Sequence, residues 1–352
     1  PVGVLLDRYS PRLLMLYTLI YTSIAVYFIG HSDSIVILAM MRFVMGVGGA
    51  FSFISCVRIA SNWFLGKEMG LATGIIAAMG MLGGLVVQTP FMRLIQLVGW
   101  QHSLWALIGL AAVVFVILFF LVQDAPKHAQ VETKEESSEK ITIGAGLKLI
   151  LAKWQNWFFA IYAGMINIPI FLLGALWGSS YFINVHHFSA TIASAIVLFL
   201  FVGQMLGAPM IGYLSEKGFS KKGWMLLCAV LSIVFIFLAL HAGDRGYVFY
   251  MLLMFGIGFV SGAQILGYAM IIQYNPPAIS GTAASLISSI LILVGGFSQQ
   301  TYGYLESWHA HSAFLQSIFH AADSFAILIL PFAFIIALIC ALLIKERKEH
   351  HG

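Results

Sequence analysis

The chain has 352 residues, of which 61% are hydrophobic and only 9% are charged. A soluble fold of this size could not cover its surface with 18 basic and 14 acidic residues, because ordinary soluble domains are about a quarter charged. This composition excludes a soluble enzyme, a disordered regulator and a disulfide scaffold, and it predicts an all-α polytopic membrane protein.

Ten apolar runs follow one another, each long enough to cross a bilayer as a helix of roughly 20 residues. We number them spans one to ten and predict them at 13–31, 35–57, 69–95, 103–122, 155–183, 189–214, 223–242, 246–273, 278–304 and 323–344. The one long connection, 123–154, is rich in Glu and Lys and divides the spans four and six. We therefore predict a first bundle at 1–122, a cytoplasmic linker at 123–154, a second bundle at 155–344 and a cytoplasmic tail at 345–352.

The basic residues are distributed unevenly over the two sides of this map. Fourteen of the 18 lie in loops on the side of Pro1, where Arg58 also lies at the membrane edge, and only Arg93 and Arg245 lie on the opposite side. Cytoplasmic loops of membrane proteins carry an excess of Lys and Arg. We therefore predict that both termini are cytoplasmic, and we attribute the net charge of +4 to topology, with no nucleic acid as a partner.

A repeat relates the first four spans to the last four. Gly3 to Arg8 is echoed by Gly212 to Lys217 at an offset of 209, and two further glycine-containing stretches recur at offsets of 210 and 211. The paired stretches lie at the same depth and run in the same direction, which is typical of two parallel six-span halves. The first half is therefore expected to lack two spans, on the order of 55–60 residues.

Two motifs carry a resemblance to a known family. The sequence Gly3-Val4-Leu5-Leu6-Asp7-Arg8-Tyr9-Ser10-Pro11-Arg12 resembles the loop signature of the major facilitator superfamily, although Ser10 replaces the usual Gly. The sequence Arg42-Phe43-Val44-Met45-Gly46-Val47-Gly48-Gly49-Ala50 resembles the fourth-helix motif of the same family. The resemblance covers essentially the whole chain. It implies the major facilitator fold, two pseudo-symmetric helix bundles around a central cavity, with ten of the twelve transmembrane helices present here.

The same resemblance implies a gating loop that latches the two halves together. Its predicted residues are Gly3, Asp7, Arg8, Arg12 and Arg58, with Gly212, Glu216 and Lys217 in the second copy. A carboxylate close to a helix N-terminus is favoured by the helix dipole, so a latch is physically reasonable. The alternative is that these charges only set topology in a solvated loop.

Arg42 is the only basic residue well inside a predicted span. A charge inside the membrane costs at least about 2.5–3.5 kcal/mol, so it indicates a function by default. We predict that Arg42 faces the substrate cavity and binds an anionic group. The alternative is that Arg42 lies close enough to the outer end of span two to reach the interface.

Further polar residues mark the second bundle. Those predicted to line the substrate cavity with Arg42 are Tyr162, Asn167, Trp177, Gln264, Tyr268 and Gln299, and Pro169 is a predicted kink in span five. Polar atoms facing lipid would be costly, so these side chains should face protein or a wet cavity. The alternative for each is a hydrogen bond between helices.

These observations predict a secondary transporter that moves a small organic anion or zwitterion by alternating access. A coupling proton or sodium ion is implied by the resemblance alone, since no carboxylate lies in mid-span. We expect a monomer in a lipid bilayer, in the bacterial cytoplasmic membrane, that is not an enzyme and needs neither cofactor nor metal. Two alternatives remain, an exporter of lipophilic compounds or a siderophore, and a non-transporting solute sensor with the same fold.

Overall fold

The computed structural model describes residues 9–63, 76, 79–86, 90–124, 143–215, 220–243, 245–276, 279–319 and 321–345. Within these ranges, the side chains of residues 53, 57, 61, 62, 143–145, 280 and 281 are not described. The chain divides into two compact units, Pro1–Glu136 and Ser137–Gly352.

In the described part of the first unit, all regular secondary structure is helical. Its helices are Pro11–His31, Ile35–Trp63, Met92–Val98 and Trp100–Leu121, and residues 79–86 are also helical. Span one begins cleanly because Pro11 occupies the first helical position and the Ser10 side chain accepts a hydrogen bond from the Leu13 amide. Span one packs against both span two and span four.

The second unit contains a short helix, Ile143–Leu151, followed by six membrane-spanning stretches. Span five consists of the helices Trp154–Pro169 and Gly178–Asn184 with a π-helical segment, Ile170–Trp177, between them. Spans six, seven and nine are the single helices Ala190–Ser215, Lys221–His241 and Ser280–His311. Span eight consists of Tyr247–Ser261 and Gln264–Tyr274, and span ten of Ala322–Ala326 and Ile329–Leu343. One further helix, Ala313–Ile318, precedes span ten.

Nine of the ten predicted spans are confirmed as helices long and apolar enough to cross a membrane. The structure extends several of them by a few residues, as in span five, which covers Trp154–Asn184. Much of the remaining span, predicted at 69–95, lies outside the described residues. The all-α fold class is therefore confirmed over the described part of the chain.

Three spans of the second unit are interrupted. Span five changes from α-helix to π-helix directly after Pro169, which has no amide hydrogen to donate and whose ring crowds the preceding turn. Span eight breaks at Gly262 and Ala263 between its two helices. Span ten breaks at Ile327 and Leu328. The sequence predicted the kink at Pro169, but it did not predict the other two breaks.

The backbones of spans six and eight are in direct contact. A Cβ atom added at Gly258 would overlap the carbonyl group of Leu200, and one added at Gly207 would overlap the carbonyl group of Phe259. Small residues at such contacts allow membrane helices to pack closely. This contact fixes span eight, and with it the break near Gln264, against span six.

Candidate functional site

Two buried amides join spans five and six in the interior of the second unit. The Gln204 Nε2 atom donates to the Asn167 Oδ1 atom at 2.7 Å. Both side chains are buried, with only 1% and 3% of their surfaces exposed. This bond satisfies the Asn167 carbonyl but uses only one of the polar atoms that Gln204 brings into the bundle.

Gln264 brings a third amide to the same level of the bundle. Span eight packs antiparallel on span five, where a Cβ added at Gly267 would lie 3.1 Å from the Cβ of Ala163. Gln264 and Asn167 each lie about one turn further along from this contact, in the same direction. Asn167, Gln204 and Gln264 are each about 13–18 Å along their helices from the predicted cytoplasmic end, which is near the middle of a bilayer core of about 30 Å.

The three amides leave two acceptors without a donor. Among the residues that the structure describes, nothing donates a hydrogen bond to Gln204 Oε1 or to Gln264 Oε1, and both atoms are buried. A buried acceptor without a donor costs roughly 1–3 kcal/mol. The site is therefore suited to a ligand or a water molecule that donates hydrogen bonds.

Two of the three interruptions, those in spans five and eight, lie beside these amides. Asn167 is two residues before Pro169, where span five becomes π-helical, and Gln264 is the first residue after the break in span eight. Transporters commonly form their midplane sites from interrupted helices, because irregular backbone is tolerated in a membrane where it lines a cavity. We define the amide site as Asn167, Gln204 and Gln264.

Trp177 and Gln299, which were both predicted to line the cavity, are joined by hydrogen bonds between spans five and nine. The Trp177 Nε1 atom donates to the backbone carbonyl of Gln299 at 3.2 Å. The Gln299 Nε2 atom in turn donates to the carbonyl of Phe171 at 2.7 Å. The Trp177 ring also stacks on Tyr302, with ring centres 4.9 Å apart. Span nine thus holds the π-helical segment of span five at both ends.

The two predicted tyrosines make contacts between helices. Tyr162 is fully buried, and its hydroxyl donates to the carbonyl of Met225 in span seven at 2.9 Å. The Tyr268 hydroxyl lies 3.0 Å from the Ser288 hydroxyl in span nine. Tyr162 therefore ties spans five and seven together, whereas Tyr268 lies one turn from Gln264 on the same helix.

Arg42 lies in the first unit, beside an open pocket of about 450 Å³. The pocket is lined by Ile29, Gly30, Ser32, Asp33, Leu38, Arg42, Trp100 and Gln101. Arg42 is exposed and lies about 10 Å along its helix from Ile35, so its side chain can reach the predicted outer end of the span. Asp33 places a carboxylate in the same pocket, and the two side chains form no ion pair. The proposed contact of Arg42 with an anion stays a prediction.

The predicted gating loop is only partly described. Gly3, Asp7, Arg8, Glu216 and Lys217 lie outside the described residues. Arg58 is exposed at the predicted membrane edge, and the carbonyl of Gly212 accepts a hydrogen bond from the Ser215 hydroxyl at 2.7 Å.

Arg12 takes part in a contact with Asp124 that was not predicted from the sequence. Its backbone amide donates to Asp124 Oδ1 at 2.8 Å, and the Ser10 hydroxyl donates to Asp124 Oδ2. The Arg12 guanidinium donates to the carbonyl of Phe119 and lies over the Phe119 ring. Asp124 thus joins the end of span four to the N-terminus of span one, where the helix dipole favours a carboxylate. Its position directly after an apolar span was the only sequence signal.

Three relatives show what kind of protein this chain resembles. It is 22% identical to the "Probable hexose phosphate transport protein" of Chlamydia pneumoniae over 94% of this chain and 78% of the relative. It is 25% identical to the "Probable galactarate/D-glucarate transporter GudP" of Escherichia coli K12 over 87% and 74%. It is 26% identical to the "Probable sulfoacetate transporter SauU" of Cupriavidus necator, but this match spans only 38% of this chain and 31% of the relative.

The fold and the family are both supported by further matches. A bacterial homologue of the human lysosomal transporter Spinster, in an inward-facing and unoccupied conformation, superposes with a TM-score of 0.73 at 16% identity, over 98% of this chain and 84% of that one. The family model described as Major Facilitator Superfamily matches residues 1–299. The chain therefore belongs to the major facilitator superfamily.

Proposed function

We propose that the chain is a secondary active transporter that carries a small hydroxylated organic anion across the membrane by alternating access. The observation that carries this proposal is the amide site, beside the breaks in spans five and eight, where two buried carbonyl oxygens have no donor among the described residues. Solute hydroxyl groups would donate to these oxygens. Such hydrogen bonds would give specificity without a fixed charge in the second unit.

The negative charge of the proposed solute is supported by two separate observations. Arg42 is an exposed cation beside a pocket of the first unit. Hexose phosphates, galactarate and D-glucarate, which are named for relatives aligned over most of this chain, are anions that also carry hydroxyl groups. Both observations favour a solute that carries a negative charge and hydroxyl groups.

The remaining parts of the proposal concern energy and location. We propose that a proton or sodium gradient drives accumulation, and that the protein acts as a monomer. We also propose the bacterial cytoplasmic membrane with both termini cytoplasmic. The support for this orientation is that 14 of 18 basic residues lie on the predicted side of the termini.

Uptake by proteoliposomes tests the function directly. Labelled D-glucarate and glucose 6-phosphate should each be compared with neutral glucose, with and without an imposed proton or sodium gradient. We expect at least one anion to accumulate, an ionophore to abolish accumulation, and glucose to compete poorly. Binding of an anion without any uptake would instead favour a sensor, and equal competition by glucose would contradict an anion site.

A further inference from the structure

Among the described residues of the second unit, Asp323 is a buried carboxylate that lies outside the amide site. Asp323 lies in span ten and exposes only 2% of its surface. Its Oδ1 atom accepts a hydrogen bond from the Tyr302 hydroxyl at 2.7 Å, and its Oδ2 atom accepts one from Asn184 Nδ2 at 2.8 Å. Burial of a carboxylate is costly unless donors compensate it, so both bonds are needed to hold Asp323 in this place.

Both bonds lead to the outer half of span five, which we define as residues 170–184. Asn184 is the last residue of the helix Gly178–Asn184, so one bond reaches this segment directly. The other bond runs through Tyr302, whose ring stacks on Trp177 at an interplanar angle of 28°. Asp323 therefore holds the outer half of span five near its middle and at its end.

The backbone of this segment makes such contacts important. The segment begins with the π-helical residues Ile170–Trp177 directly after Pro169. π-Helical turns are rare and occur often at functional sites, and the proline removes one backbone hydrogen bond. The orientation of residues 170–184 relative to the first half of span five is therefore expected to depend on side-chain contacts with spans nine and ten.

We propose that Asp323 is a positioning residue that holds the outer half of span five and thereby sets the orientation of Trp177 toward the solute. The inference rests on the proposed function and on the sequence prediction that Trp177 lines the substrate cavity, because it treats Trp177 as a residue that contacts the solute. Asp323 itself does not contact the solute. It acts through Tyr302 and Asn184, and its contribution should disappear when Trp177 is absent.

Uptake kinetics of the full chain in proteoliposomes test this dependence. We expect Asp323→Asn and Tyr302→Phe each to raise KM by about 3- to 10-fold, with kcat changed less than twofold. Tyr302→Phe removes one hydrogen bond to Asp323, and Asp323→Asn leaves one acceptor oxygen where the carboxylate has two. In a Trp177→Ala background, Asp323→Asn should cause no further change in KM. Glu306→Gln is the control, because it neutralises another carboxylate, one turn from Tyr302. Effects of Asp323→Asn and Trp177→Ala that simply multiply would overturn the proposal.

Hydrogen exchange measures, without any solute, how far Asp323 stabilises the outer half of span five. We expect amides of residues 178–184 to exchange at least about tenfold faster in Asp323→Asn and in Tyr302→Phe than in the wild type or in Glu306→Gln. Unchanged exchange in both variants would overturn the proposal, even if one of them expresses poorly. Absence of anion uptake by the wild type would instead contradict the proposed function. The exchange rates would then still test whether Asp323 stabilises the outer half of span five.

Discussion

Arg42 shares its pocket with the carboxylate of Asp33, so a bound anion must compete with a nearby negative charge. If Arg42 binds the solute, Arg42→Gln removes a charged hydrogen bond of about 1.5–3 kcal/mol, and KM for the anion should rise by about 10- to 150-fold. Arg93→Gln is the matched control, because Arg93 is also exposed and its loss changes the net charge equally. A similar rise in both variants would show that only the overall charge matters.

The carbonyl of Gln264, which has no donor in the described part of the chain, allows hydroxylated and simple anions to be distinguished. Gln264→Leu removes an acceptor but no charge, so KM for D-glucarate should rise by about 2- to 10-fold, which corresponds to one neutral hydrogen bond. The KM for sulfoacetate, which has no hydroxyl group, should stay within twofold if that anion is transported. Competition uptake measures both values, and Gln300→Leu, at an exposed glutamine of span nine, controls for loss of an amide. Equal effects on both anions would contradict hydroxyl recognition.

Polar atoms inside apolar runs were visible in the sequence, but their partners were not. Trp177 and Gln299 were both marked as cavity candidates, and the structure joins them by a hydrogen bond between helices, which was the alternative. Asp124 and Asp323 were missed because each lies at the edge of an apolar run, where a carboxylate normally reaches water. The structure shows instead that each carboxylate accepts two hydrogen bonds from residues of other spans. These partners are distant in the sequence, so the bonds could be found only from the packing of the helices.

The close contact between spans six and eight predicts that a larger residue at Gly207 lowers the stability of the protein. Gly207→Ala would place a methyl group against the backbone of Phe259, so unfolding free energy should fall by about 1–3 kcal/mol or more. Gly212→Ala in the same helix is the control, because its added Cβ would lie 4.0 Å from Ile265, an ordinary contact. Thermal or detergent unfolding of the purified protein measures the difference. Equal stability of the two variants would show that the helices can separate without cost.

Helix interruptions were harder to predict than the spans themselves. Apolar length alone located the nine confirmed spans, since the bilayer thickness fixes how long a helix must be. Pro169 gave a visible signal because it lacks an amide hydrogen. Gly262 gave none, because glycine is common throughout these apolar runs and most glycines here continue a helix. The break in span eight therefore had to be seen in the structure.

Composition was the most reliable predictor for the whole molecule. With 9% charged residues, the chain could only be a membrane protein, and family membership confirms the prediction of a transporter that is not an enzyme. Orientation depends on a different property, the side on which the basic residues lie. It stays a prediction, because a helix crosses a bilayer equally well in either direction.

Thiol labelling of intact cells tests the orientation of the whole chain. In a background without Cys56, Cys228 and Cys340, Arg245→Cys should react with a membrane-impermeant maleimide from outside, whereas Lys345→Cys should react only after permeabilisation. The two variants are matched, because each removes one positive charge from an exposed position at a helix end. We expect this difference in labelling because Lys and Arg are in excess on the side of Lys345, and such an excess keeps that side in the cytoplasm during insertion. Labelling of Lys345→Cys in intact cells, with Arg245→Cys protected, would show the inverted topology.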